Sequence, residues 1–129
     1  MIANPTVVLV HGAFADASGF AGIIRELQSQ GLEVRAPMNP LRGLGFDADA
    51  IARYTTNIDG PILLAGHSYG GAVISEAATA IKTAAALVYL SAFALDENES
   101  CASLLGQFPP SLLASTSIPR RASAAEAWR

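Results

Sequence analysis

The sequence predicts an α/β fold: a three-layer, doubly wound parallel sheet of about four strands. Three observations carry this. Apolar runs rich in β-branched residues recur without polar alternation, as strands buried on both faces require. Segments with apolar residues at helical spacing separate them. The resulting order strand, helix, strand, helix, strand, helix, strand calls for right-handed crossovers and hence parallel neighbours.

The first strand is Thr6 to Val10, ending at His11-Gly12. From Ser18 onward Phe20, Ile23, Ile24 and Leu27 recur at helical spacing, and Gly31 stands where a left-handed cap would stop the helix. Leu32 to Ala36 reads as a second short strand broken by Pro37, followed by a loop from Asn39-Pro40 through Gly45. A second helix spans roughly Asp47 to Asn57. Asp59-Gly60-Pro61 turns the chain into a third strand, Ile62 to Ala65, which runs into Gly66-His67-Ser68-Tyr69-Gly70-Gly71. The third helix is expected over Gly70 to Lys82, with an Ala-rich face for close packing and Lys82 near its end to complement the helix dipole. Ala86 to Leu90 makes the fourth strand. After Ser91 the pattern fades into an acidic turn, Asp96-Glu97-Asn98-Glu99, and a break at Phe108-Pro109-Pro110.

A chain of 129 residues with 51% hydrophobic and 15% charged residues has room for one globular domain and none for a separate cofactor domain. Its net charge of −3, with neither a basic stripe nor a polybasic run, makes no case for nucleic acid or an anionic membrane. The apolar run Val7 to Val10 is too short for a signal core or a span. A lone cysteine, Cys101, excludes an internal disulfide and a cysteine metal cage, fits a reducing cytoplasm, and reads as a small buried residue. No metal or cofactor is expected. Gly43-x-Gly45-x-x-Ala48 imitates a dinucleotide fingerprint, but Met38-Asn39-Pro40 before it is no strand.

The chemistry concentrates at Gly66-x-Ser68-x-Gly70. A buried strand running directly into a helix leaves only a sharp turn, which forces the serine at its apex into a strained, exposed conformation. Gly66 and Gly70 are then steric requirements, since side chains there would clash. A nucleophilic serine also needs N–H donors for the developing oxyanion. The backbone N–H of Tyr69 can supply one. Ala13 or Phe14, in the turn after the first strand, can supply the other if the first and third strands are neighbours. Phe14 is also placed to wall an acyl pocket.

Val7-Val8-Leu9-Val10-His11-Gly12-Ala13-Phe14 together with Gly66-His67-Ser68-Tyr69-Gly70-Gly71 resembles the α/β-hydrolase superfamily, and within it the small esterase-like members related to plant methylesterases and hydroxynitrile lyases. The similarity covers about Thr6 to Pro110. It implies that Ser68 is the nucleophile, that Tyr69 and Ala13 hold the oxyanion-hole positions, that His11 is structural, and that the substrate is a small ester-like molecule handled without a cofactor.

The family order is Ser, then Asp or Glu, then His, yet no histidine follows Ser68. His11 and His67 both occupy motif positions and read as structural. Asp96, shortly after the fourth strand, is the candidate acid. Residues 1–117 therefore read as the N-terminal half of a truncated α/β-hydrolase domain, and 118–129 as an atypical Arg/Ala/Ser tail of frameshift type. The expected topology puts the first helix alone on one sheet face, the second and third on the other, and the fourth strand at an exposed apolar edge open to self-association. A chain so built is expected to be nearly inactive alone. The alternatives are a non-catalytic, partner-binding half-domain and a lyase reusing the same elbow.

Overall fold

The computed structural model describes residues 3–112; the tail predicted at 118–129 lies outside them. Four parallel strands form one sheet in the order β2-β1-β3-β4. β1 (Thr6–Val10) is buried along its whole length and pairs with β2 (Val34–Arg35) on one side and β3 (Ile62–Ser68) on the other. Among the described residues β4 (Ala84–Ala92) pairs with β3 alone. The predicted fold class is the one observed, with the first and third strands neighbours.

The period of two along β1 and β3 sorts their side chains onto two faces. Val8, Val10, Ile62 and Leu64 join Ile51 of α2 (Leu44–Thr55) and Val73 and Ile74 of α3 (Tyr69–Ala78) in the larger core. Val7, Leu9 and Ala65 meet Phe20, Ile24 and Leu27 on the opposite face, which α1 (Ala21–Ser29) and the short 3-10 turn before it (Ala17–Phe20) cover. The distribution of helices is thus the expected one.

Element ends differ from the sequence reading in instructive ways. β2 is two residues long, because Pro37 has no N–H to offer the ladder. α2 starts at Leu44 rather than Asp47: Gly43, at φ 129°, turns the chain into the helix, and Asp47 N–H donates to Gly43 O. α3 stops at Ala78, not Lys82. There the last turn tightens, Ile81 N–H donating to Ala78 O, and Ile81 drops into the core, so Lys82 sits in a turn and caps no helix. A helix absent from the sequence reading, α4 (Cys101–Leu105), is started by a capping box between Ser100 and Ser103. It seats Cys101 in the larger core, where burial pushes the thiol up to about 11.

Candidate active site

β3 ends at Ser68 and α3 begins at Tyr69, so the strand-to-helix turn has no spare residue. Ser68 takes φ 53° and ψ −124°, outside the regions open to ordinary L-residues, a conformation that costs on the order of 1–3 kcal/mol. The surrounding glycines make it affordable. A Cβ on Gly66 would lie 2.5 Å from Gly70 O, one on Gly70 would collide with Val10 O, and one on Gly71 would lie 2.5 Å from Phe93 O. The elbow is therefore wedged between the ends of β1 and β4, and Phe93 N–H fastens it by donating to Ser68 O at 3.1 Å. Although Ser68 caps α3, its Oγ makes no capping bond, and the side chain is half-buried at the helix's positive end.

The turn after β1 reaches this serine directly. A Cβ on Gly12 would stand 2.9 Å from Ser68 Cβ and 3.4 Å from Ser68 Oγ, so glycine is what lets the two backbones meet. Ala13, packed against the larger core, and Phe14, largely exposed, follow at once. The structure thus brings Gly12 against Ser68, as expected if β1 and β3 are neighbours, and Ala13 and Phe14 follow Gly12 in the chain.

His11 is buried and fully engaged. Asn39 N–H donates to Nε2 at 3.0 Å, so the ring hydrogen lies on Nδ1, which donates to Gly12 O at 2.9 Å. Asn39 Nδ2 also donates to His11 O at 3.0 Å. With both nitrogens committed, the ring holds the turn and has no lone pair for Ser68. His67 points to the exposed side of the elbow. Asp96 is exposed in a turn closed by Glu99, whose N–H donates to Asp96 O while its carboxylate accepts from Asp96 N–H. It lines an open cavity of about 670 Å³ against α3 that Ser68 does not share, and no hydrogen bond joins it to Ser68 or to either histidine. No group of three or more His, Cys, Asp and Glu suited to a metal ion occurs among the described residues.

The sequence profile of the alpha/beta hydrolase family matches residues 7–129. This chain is a member of that family. Solved structures agree in fold. An extracellular alpha/beta-hydrolase from a Paenibacillus species, described as sharing structural and functional homology with tobacco salicylic acid binding protein 2, superposes with a TM-score of 0.72 at 27% identity over 86% of this chain and 49% of its own. Polyneuridine aldehyde esterase gives 0.73 at 23% identity over 86% and 50%, and a pyrethroid hydrolase from Sphingobium faniae JZ-2 gives 0.72 at 22% over 84% and 47%. The chain spans about half the length of these solved alpha/beta hydrolases. Comparison with curated proteins gives no match.

Two residues of this alpha/beta hydrolase site escaped the sequence reading. Asp47 is fully buried; its Oδ2 accepts from the Tyr69 hydroxyl at 2.7 Å and its Oδ1 from Arg42 N–H at 2.9 Å. Burial, then this hydrogen bond, raises the Tyr69 phenol far above the usual tyrosine range. Asn39 is the other. The legible clue for Asp47 was its place four residues before Ile51, a carboxylate on the helix stripe that faces the core. Asn39 carried no comparable clue.

Proposed function

We propose that the chain carries the nucleophile and oxyanion site of a serine hydrolase acting on carboxylic esters. Ser68 Oγ attacks the ester carbonyl, its proton passes to a base, and the tetrahedral oxyanion is held by the N–H of Tyr69 and that of Ala13 or Phe14. Collapse expels the alcohol and leaves an acyl group on Ser68, which water then removes. Gly66, His67, Gly70 and Gly71 build the elbow. The observation that carries this reading is the backbone of Ser68, strained at φ 53° with Gly12 against its side chain. Membership of the alpha/beta hydrolase family supports it, and an esterase and a pyrethroid hydrolase among the structural relatives favour an ester substrate.

Among the described residues no base meets Ser68. His11 is consumed by the turn it braces, and Asp96, the candidate acid by its place after β4, faces a separate groove. Loss of the base from a triad costs on the order of 10⁶ in turnover, so the purified chain should hydrolyse p-nitrophenyl acetate only at a residual rate. That residual rate owes to the oxyanion site and to binding, so Ser68→Ala should leave it nearly unchanged. Rapid turnover abolished by Ser68→Ala would show that a working base is present after all; rapid turnover indifferent to Ser68→Ala would sink the nucleophile assignment.

One observation favours a second reading, a half-domain that associates through its edge. Among the described residues β4 pairs on one side only, and Val88 and Tyr89 are each 38% exposed. Sedimentation at several concentrations separates the readings, since a monomer throughout the range leaves no association to explain.

A further inference from the structure

The loop between β2 and α2, residues 36–43, touches both sides of the oxyanion site. At one end Asn39 braces His11 through two hydrogen bonds, fixing the turn that leads into Ala13 and Phe14. At the other, Arg42 N–H donates to Asp47, whose second carboxylate oxygen takes the Tyr69 hydroxyl. One short loop therefore links the two segments that supply the oxyanion donors. We propose that Asp47 is a positioning residue for the oxyanion site, acting through the Tyr69 hydroxyl to set the first residue of α3. This rests on the reading of Ser68 as nucleophile.

Three features separate this from ordinary packing. Asp47 is wholly buried, and its hydrogen-bonded partners are a phenol and a backbone amide rather than a cation. Desolvating a carboxylate is expensive, and an apolar pair of the same size would stabilise the core at lower cost. What the carboxylate adds is a short, directional bond on Tyr69, and Tyr69 directly follows Ser68. Finally, the ring is 1% exposed, so its hydroxyl anchor fixes the orientation of the residue and of its N–H together.

The test uses the full chain and phenylboronic acid. Addition of Ser68 Oγ to boron forms one B–O bond, releases the hydroxyl proton to water and leaves a tetrahedral boronate anion that fills the oxyanion site. Boron-11 resonance reads the change from trigonal to tetrahedral. The unsubstituted chain should show it and Ser68→Ala should not; a chain with no Ser68-dependent adduct refutes the nucleophile reading, and the positioning role falls with it. The deciding variant is Asp47→Asn with Tyr69→Phe. The pair of substitutions keeps an acceptor for Arg42 N–H and removes the hydroxyl but leaves a buried asparagine NH2 without a partner, so the melting midpoint should fall, and at temperatures well below it the boronate dissociation constant should rise tenfold or more. A dissociation constant within twofold of the unsubstituted value would overturn the proposal. If the double variant does not fold, the unsubstituted chain decides: on boronate addition the Arg42 amide resonance should move with that of Tyr69, and a stationary Arg42 amide would overturn it.

Discussion

The two faces of the sheet are unequally furnished. On the α2 and α3 side fourteen buried residues form one cluster, and it includes Tyr69 of the elbow. On the α1 side the buried cluster among the described residues is Val7, Leu9, Phe20 and Ala65, and α1 itself contributes no buried residue. The elbow is built on the well-packed face. Strain at Ser68 persists only where the surroundings over-determine the backbone, and here β1, α3 and the end of β4 all close on it. The lightly covered face supports β1 and β3 from behind.

The harshest way to break this contrast is Gly70→Ala. The new methyl would collide with Val10 O, a backbone atom that cannot yield without separating β1 from β3. We expect a loss of about 4 kcal/mol or more in urea unfolding, or no cooperative transition. A loss below about 1 kcal/mol would mean that the elbow is far more pliant than its geometry indicates. Next comes a matched pair across the faces. Ile74→Ala, in the fully buried centre of α3, should cost about 2–5 kcal/mol, whereas Ile24→Ala, half-buried on α1, should cost about 1 kcal/mol. Equal losses would erase the asymmetry.

How legible these regions were in the sequence follows the same division. β1 was read to the residue because an unalternating apolar run has no other home in a small α/β domain. The elbow was read because glycine at 66 and 70 is a steric demand, visible without coordinates. The ends of α2 and α3 were misplaced, since a glycine helix entry at Gly43 and a tightened exit at Ile81 are decided by where the chain must go next rather than by periodicity. α4 was missed because Ser100 and Ser103 cap each other with hydroxyls, a weaker mark than the usual serine and glutamate. The tether from Asp47 to Tyr69 spans twenty-two positions, a separation at which no local pattern operates.

A smaller effect, confined to the well-packed face, is a dependence on alkaline pH. Burial raises the Cys101 thiol from 9.0 to about 11, so the unfolded chain ionises first. Stability contributed by the protonated thiol is complete below about pH 9 and is lost as pH rises through about 11. Tyr69, also raised, adds to the decline above the ordinary tyrosine value of about 10. Cys101→Ala should flatten the stability curve between pH 9 and 10 and leave the later fall in place. An unchanged curve would place the thiol in contact with water.

The smallest effect on stability, and the sharpest on behaviour in solution, should come from the edge. Pairing with β3 puts Val88 on the lightly covered face, in line with Ala65, and Tyr89 on the other, where its hydroxyl bonds Ser75 Oγ at 2.8 Å. Tyr89 thus ties β4 to α3, while Val88 presents an apolar side chain at an edge with nothing beside it among the described residues. Val88→Lys should change folding stability by no more than about 0.5 kcal/mol, because the side chain is already 38% exposed. A lysine there obstructs edge-to-edge pairing by charge and by bulk. If the chain associates through β4, this variant should shift its sedimentation towards monomer, and Tyr89→Lys should instead lower the melting midpoint by cutting the bond to α3. Association unaffected by Val88→Lys would move the sticky surface away from β4 and leave the thinly covered α1 face as the region that self-associates.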